Sequence, residues 1–301
     1  MKLTIIGCNA ATPTTTGNPT AQVLEVNNQM VLIDCGEGTQ TALRKNKIRF
    51  SRINHIFISH LHGDHFYGLI GLISTFSLLK REKDLHIFGP KGLKEIILLQ
   101  LKLSKSWTNF KLLFHELESK ASETILTHEK FLVQSIPLKH RVYTNGFLFK
   151  EQPKERKLLI HKALEYNIDK VYYKGIKKGK DVVLEDGTII PNRELTEDPP
   201  KVKSYAFCSD TMYTESIVPI IQGATALYHE STFLEQHSEL AKLTKHTTAV
   251  EAAYIAKKAN VGLLILGHFS TRYPDYNMFK NEAISVFENT EIAKDERVFE
   301  F

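Results

Sequence analysis

The chain has 301 residues, 42% apolar and 24% charged, with a net charge of +5. That composition excludes a disordered or fibrous chain, and no apolar run is long enough to span a bilayer. Its three cysteines, Cys8, Cys35 and Cys208, make no CxxC pair and no disulfide framework, which points to a reducing cytoplasm.

Met1 to Gly7 reads as a buried strand ending at a glycine, too short for a secretory signal and without its small-residue cleavage pattern. Met30 to Ile33 is a second short apolar run and ends at Asp34; Ile56 to Ile58 ends at Ser59 and His60. Leu69 to Lys80 and Gly92 to Leu103 carry helical patterns, the latter through Leu93, Ile96, Ile97, Leu99 and Leu101. Val133 to Leu138 is a further strand, followed by His140. Residues 150–203 then break the pattern with charge, with Pro153, Pro191, Pro199 and Pro200, and with a hairpin signal at Glu185-Asp186-Gly187-Thr188. This stretch reads as an inserted arm projecting from a single domain that spans 1–301. Strands resume at Tyr205 to Phe207, ending at Cys208-Ser209-Asp210, and at Ala226 to Tyr228, ending at His229-Glu230. Thr248 to Ala259 is a helix opened by a capping box of Thr248 and Glu251. Leu263 to Leu266 is a last strand, ending at Gly267-His268. Alternating strands and helices make an α/β chain. Polar residues at strand ends are where a rigid sheet positions a site.

The charge is unevenly placed. Residues 150–180 hold nine Lys and one Arg against four acids, a net of +6, which leaves about −1 for the remainder. Such a block attracts polyanions, RNA among them; the plainer reading is a solvated, Lys-rich surface.

His60-Leu61-His62-Gly63-Asp64-His65 places three imidazoles and a carboxylate in six residues. The run suits a loop wrapped around a metal, with Gly63 relieving the backbone. Imidazole and carboxylate suit zinc first, although manganese and iron accept the same ligands. Four donors from one loop cannot close two sites, and His140, Asp210 and His268 at strand ends supply the rest, Asp210 being able to bridge two ions. Two metals so held activate a water for attack on phosphorus or a carbonyl carbon. His246, just before the capped helix, stands where free amides favour a phosphate, with Glu230 able to hold it or share its proton. His229 stays outside the metal shell.

These residues resemble the metallo-β-lactamase superfamily, marked by HxHxDH. The likeness extends to the ribonuclease Z family through Leu32-Ile33-Asp34-Cys35-Gly36-Glu37-Gly38-Thr39-Gln40, Pro137 to His140 with Gly146-Phe147, and His229-Glu230-Ser231-Thr232-Phe233. Lys245 to Ala249, Gly267 to Tyr273, and Pro13-Thr14 with Asn18-Pro19 follow the same pattern. The resemblance implies a four-layer αββα metallo-β-lactamase sandwich with a projecting basic arm. It implies two Zn2+ per chain, one on His60, His62 and His140, the other on Asp64, His65 and His268, bridged by Asp210. Asp64 then serves also as general base, and His246 with Glu230 as proton donor. The activity implied is removal of the 3′ trailer from precursor transfer RNA by a homodimer, the arm gripping the RNA through residues such as Lys154, Arg156, Lys157, Lys174, Lys177 and Lys178. Three places depart from the family: Gly17 where an Arg is frequent, Ser209 where a Gly precedes the bridging Asp, and Asp169-Lys170 near the place of a Gly-Pro turn.

Two other readings remain. A small-molecule phosphodiesterase or ester hydrolase of the same fold needs the ligands but no basic arm. A non-catalytic RNA-binding protein with a relic site has no reason to keep every donor.

Overall fold

The computed structural model describes every residue except Pro13 and Thr16, so the Pro13 part of the N-terminal resemblance lies outside the described residues. In chain order the first half runs β1 (Lys2–Gly7), β2 (Ala21–Val26), β3 (Gln29–Ile33), α1 (Thr39–Lys45), β4 (Ile53–Phe57), α2 (Gly63–Phe66), α3 (Gly68–Leu78), β5 (Leu85–Pro90), α4 (Leu93–Leu103), β6 (Leu112–Leu117), β7 (Thr124–Thr127), β8 (Phe131–Pro137) and β9 (Asn145–Glu151). A separate compact unit, Gln152–Val202, holds β10 (Lys157–Leu158), α5 (Ile160–Glu165), α6 (Tyr173–Lys177), β11 (Val182–Val183), β12 (Ile189–Ile190), α7 (Asn192–Leu195) and β13 (Thr196–Glu197). The main unit resumes with β14 (Ser204–Cys208), α8 (Val218–Ile221), β15 (Ala226–Glu230), α9 (Ser238–Thr244), α10 (Ala249–Lys258), β16 (Leu264–Gly267), α11 (Asn277–Ala283), β17 (Thr290–Ile292) and β18 (Val298–Glu300).

Two seven-stranded sheets form the main unit, ordered β18-β1-β2-β3-β4-β5-β6 and β17-β16-β15-β14-β9-β8-β7. Strand side chains alternate between faces, and here the two faces feed different cores. Leu24, Val26, Val31, Ile33, Phe57 and Phe88 join one core with the second sheet, whereas Val23, Met30, Leu32, Ile56 and Ile87 join Leu69, Leu72, Ile73 and Ile97 of α3 and α4. Phe57 shows how the sheets meet: its ring stacks on Phe88 at 4.8 Å and meets Phe149 of the second sheet edge-on at 5.1 Å. Each such buried aromatic contributes about 1.5–3 kcal/mol. Ala252, Ala253, Ile255 and Ala256 of α10 close the far side of the second sheet. The layers are therefore helix, sheet, sheet, helix. The capping box of α10 is present, Thr248 accepting from the Glu251 amide and Glu251 from the Thr248 amide.

The unit Gln152–Val202 has its own small core of Leu158, Ala163, Ile168, Ile176, Val182, Ile190 and Leu195. Its hairpin β11–β12 turns at Gly187, whose φ of 84° suits glycine. As a whole it carries eleven Lys and Arg against nine Asp and Glu, a net of +2, because acids after residue 180 offset much of the earlier excess. The folded unit is therefore less cationic than residues 150–180 alone.

Candidate metal centre

Parallel pairing explains why ligands distant in sequence meet. Strands β14, β15 and β16 lie parallel with Cys208 opposite His229 and His229 opposite Leu266, so Asp210, Glu230 and His268 emerge at one edge. On the other sheet β3 and β4 pair with Ile33 opposite Phe57, which sets Asp34 beside Ser59. The Asn145 amide donates to the Ser59 carbonyl at 3.1 Å and ties the two sheets together there. Asp34, Asp210 and His268 have φ of 55°, 59° and 58°. Such left-handed backbone in non-glycine residues costs about 1–3 kcal/mol and persists where the surroundings over-determine it, commonly at functional sites.

The HxHxDH run is only partly a loop. His62 caps α2, and Asp64 and His65 lie within that helical turn. Gly63 has no left-handed φ to relieve; a Cβ there would stand 2.3 Å from the ring of the exposed Tyr67, which would have to turn aside. Similarly, a Cβ on Gly36 would stand 2.4 Å from the Asp64 carbonyl. Together with Cys35 bonded to His65 and Gly68 through the backbone, this makes the Asp34-Cys35-Gly36 segment the bed on which the ligand turn lies.

Donor atoms of His60, His62, His140 and Asp210 converge within 4.8 Å of one another, and so do those of Asp64, His65 and His268. Asp210 addresses both groups. Its Oδ2 lies 3.6 Å from His60 Nε2 and 3.8 Å from His140 Nε2, while its Oδ1 lies 3.1 Å from His65 Nε2 and 3.2 Å from His268 Nε2. Hydrogen bonds at the other ring nitrogen orient the imidazoles. His65 Nδ1 meets Asp34 at 2.6 Å, His140 Nδ1 the Lys245 carbonyl at 3.0 Å, His268 Nδ1 the Thr232 hydroxyl at 3.0 Å, and His60 Nδ1 the Ser59 hydroxyl at 3.1 Å. The Nε2 atoms of His65, His140 and His268 are buried without a hydrogen bond. Buried polar atoms are rarely left so, and inward-facing Nε2 lone pairs beside carboxylates are what a divalent cation such as zinc requires. The residues fit the metal.

The charges agree. Burial holds the imidazoles of His60, His62 and His140 below their ordinary range. Burial would also lower His65, but Asp210, Asp64 and Asp34 around it override that and raise it. Burial would raise Asp64 and Asp210, yet His65 and His268 hold both carboxyls well below the usual range.

His246 Nδ1 lies 2.8 Å from Glu230 Oε1. Burial would lower this imidazole; the Glu230 carboxylate prevails and raises it to about 9. Glu230 also accepts from the amides of Thr211 and Thr247 and from the Thr232 hydroxyl, at 2.7, 3.1 and 2.6 Å. The free amides expected near His246 are engaged: Thr247 with Glu230, Thr248 with Glu251, Ala249 with the Phe233 carbonyl. A phosphate here would meet side chains rather than a bare helix end. His246, His62, Asp64, Asp210 and His268 face one cleft of about 410 Å³, which Arg141 also lines.

Nothing in the local sequence marks Arg141, though it directly follows His140, or gives Asp34, Ser59 and Thr232 a role at the site. Their function depends on neighbours in space that no local spacing shows. Ser209, one of the departures, donates to Asp210 Oδ1 at 3.0 Å. At Gly17, a Cβ would lie 2.1 Å from Asn9 Nδ2. Of the six arm residues, Arg156 pairs with Asp198 and Lys157 with Glu197, whereas Lys154, Lys174, Lys177 and Lys178 are exposed.

The chain is 44% identical to ribonuclease Z of Bacteroides thetaiotaomicron over 294 residues, covering 98% of this chain and 93% of that one. It is 45% identical to ribonuclease Z of Porphyromonas gingivalis, covering 98% and 96%. The chain belongs to the ribonuclease Z family. The crystal structure of human tRNase Z, short form, aligns with a TM-score of 0.73 at 28% identity, covering 100% of this chain and 99% of that one. This is the metallo-β-lactamase fold. A family model described as anti-Pycsar protein Apyc1 also matches residues 1–189. That match includes His60 to His65 and His140 but stops before Asp210, Glu230, His246 and His268, which the ribonuclease Z alignments span.

Proposed function

We propose that this endoribonuclease cuts precursor transfer RNA at its 3′ side, leaving a 3′-hydroxyl on the transfer RNA and a 5′-phosphate on the trailer. The observation that carries the reading is Asp210, one carboxylate shared between two imidazole groups, at the floor of a cleft wide enough for a phosphodiester. His60, His62 and His140 would hold one zinc ion, Asp64, His65 and His268 a second, with Asp210 between them. When bound, such ions would lower the pKa of a bound water towards neutrality and polarise the phosphate. Asp64, fixed by the Ala11 amide at 2.9 Å, takes the proton of the attacking water. His246, kept charged by Glu230, gives its proton to the departing 3′-oxygen. Arg141 in the cleft offsets charge on the phosphate. Exposed lysines of Gln152–Val202, Lys174, Lys177 and Lys178 among them, grip the RNA backbone, and a homodimer lets one chain's arm serve its partner's centre. Three unpaired, buried cysteines suit a cytoplasmic home.

The test is cleavage of a structured precursor transfer RNA with and without chelator, alongside a chromogenic phosphodiester. Chelator-sensitive release of a 5′-phosphorylated trailer is expected. Hydrolysis of the phosphodiester without RNA cleavage would turn the reading to a small-molecule phosphodiesterase; zinc binding with neither activity would leave a relic site.

A further inference from the structure

A cavity of about 680 Å³ opens beside the residues that precede β4, whereas the metal ligands follow that strand. Six cations line it: Arg44, Arg49, Arg52, Lys80, Arg81 and Lys83, against Glu82. Some have ordinary structural reasons. Arg44 lies in the last turn of α1 and Lys80 just beyond α3, where helix dipoles favour positive charge. Arg52 pairs with Glu25 at 3.0 Å.

Arg81 is different. Its residue is only 8% exposed. Its guanidinium donates to four neutral acceptors: the carbonyls of Lys83, Ile53 and Asp84 at 2.6, 2.9 and 2.9 Å, and Asn54 Oδ1 at 2.8 Å. It also lies over the rings of Phe76 and Phe110, at 5.1 and 5.5 Å. Among the described residues no carboxylate pairs with it, and four bonds use four of its five N–H groups, leaving one on Nη1. Burial still disfavours its charge, the Asp84 carboxylate farther off offsetting only part of the cost, and an anion in the cavity would supply a closer counter-ion. Arg49 and Lys83 are exposed at the rim, and neither forms an ion pair among the described residues.

The rest of the lining is Ser51 and the apolar Ile48, Phe50, Phe76 and Leu79. The volume falls within the roughly 300–1,000 Å³ of small-molecule sites and exceeds what a bare phosphate needs. A cationic rim with an apolar wall suits a phosphate attached to a flat organic body.

We propose that this cleft binds a nucleoside phosphate unit, its phosphate on Arg49, Arg81 and Lys83 and its base and sugar against Ile48, Phe50 and Leu79. The unit has two sources, a free nucleotide or the unpaired end of an RNA. The inference rests on the cleft alone and stands whatever the metal centre cuts.

Calorimetric titration of the full, metal-loaded chain with 5′-UMP, uridine, inorganic phosphate and a non-hydrolysable 5′-phosphorylated oligouridine tests it, each compared with the Arg49→Glu, Lys83→Glu double variant. Both substituted positions are exposed, so folding is not at stake. In the parent, UMP should bind more tightly than uridine or phosphate, and the variant should lose roughly tenfold to a hundredfold in affinity. Hydrolysis of the chromogenic phosphodiester should be the same in both proteins, which separates the cleft from the metal centre. Tighter binding of the oligouridine than of UMP, lost in the variant, assigns the site to an RNA end; equal binding of the two assigns it to free nucleotides. Equal affinities of parent and variant for every probe, or phosphate binding as tightly as UMP, would overturn the proposal.

Discussion

Replacing Asp34 by asparagine tests how the metal centre is wired. Asp34 Oδ1 accepts the Ser59 amide at 2.7 Å, and Oδ2 accepts the Ser59 hydroxyl at 2.9 Å and His65 Nδ1 at 2.6 Å. An asparagine must keep its carbonyl on the Ser59 amide, since an NH2 there would face another N–H. Its NH2 then faces His65 and needs an acceptor, so Nδ1 gives up its proton to Nε2. That is the atom directed at Asp64 and Asp210, at 3.3 and 3.1 Å. Protonated Nε2 cannot bind a metal. Loss of such an outer hydrogen bond typically costs about 10–100-fold in metal affinity, or about 1.4–2.8 kcal/mol. The metal-free fold should change little, because burial already raises the Asp34 carboxyl and a neutral amide avoids that cost. Competition for zinc against a chromogenic chelator measures the first effect, and denaturant unfolding of metal-free protein the second. A variant that binds zinc as tightly as the parent would refute the tautomer argument.

Asp210→Ala should cost both ions, and metal analysis showing two full equivalents in that variant would remove its bridging role. Glu230→Gln should return His246 from about 9 towards the ordinary imidazole range, slowing single-turnover RNA cleavage by about 10²–10⁴-fold at unchanged metal content; an undiminished rate would dismiss His246 as proton donor. Changing Lys174, Lys177 and Lys178 together to Glu should weaken precursor transfer RNA binding and flatten its log–log salt slope by roughly 0.7–0.9 per lost phosphate contact. Chromogenic phosphodiester hydrolysis should persist in that variant, and an unaltered slope would return the arm to a solvated surface. His55 offers a pH test. Burial first, then neighbouring His86, His128 and His115, lowers its imidazole to about 4 from 6.5. The unfolded chain therefore binds the proton first, and stability falls as pH drops from about 6.5 to about 4, by at most about 3 kcal/mol. Chemical denaturation of His55→Phe should show a shallower loss across that window than the parent; parallel curves would reject the assignment.

Much of this protein was legible along the chain because its chemistry is dense in sequence. His60 to His65 concentrates metal-type donors within six residues, and apolar runs ending at Asp34, His140, Asp210, Glu230 and His268 mark strand ends, since the interior of a buried strand is mostly apolar. The Thr248–Glu251 capping box was equally plain, being a contact between residues three apart. What only the tertiary structure decided is pairing across distance. Parallel register brings Asp210, Glu230 and His268 to one edge, and places Asp34 beside Ser59, 25 residues away, where it can orient His65. No period or spacing encodes that neighbourhood. The helical turn at Asp64-His65, the engaged amides before α10 and the near-neutral charge of the folded insertion were likewise unreadable locally. Each depends on which groups meet in space, and hydrogen bonding and charge are settled between neighbours in space, wherever they lie along the chain.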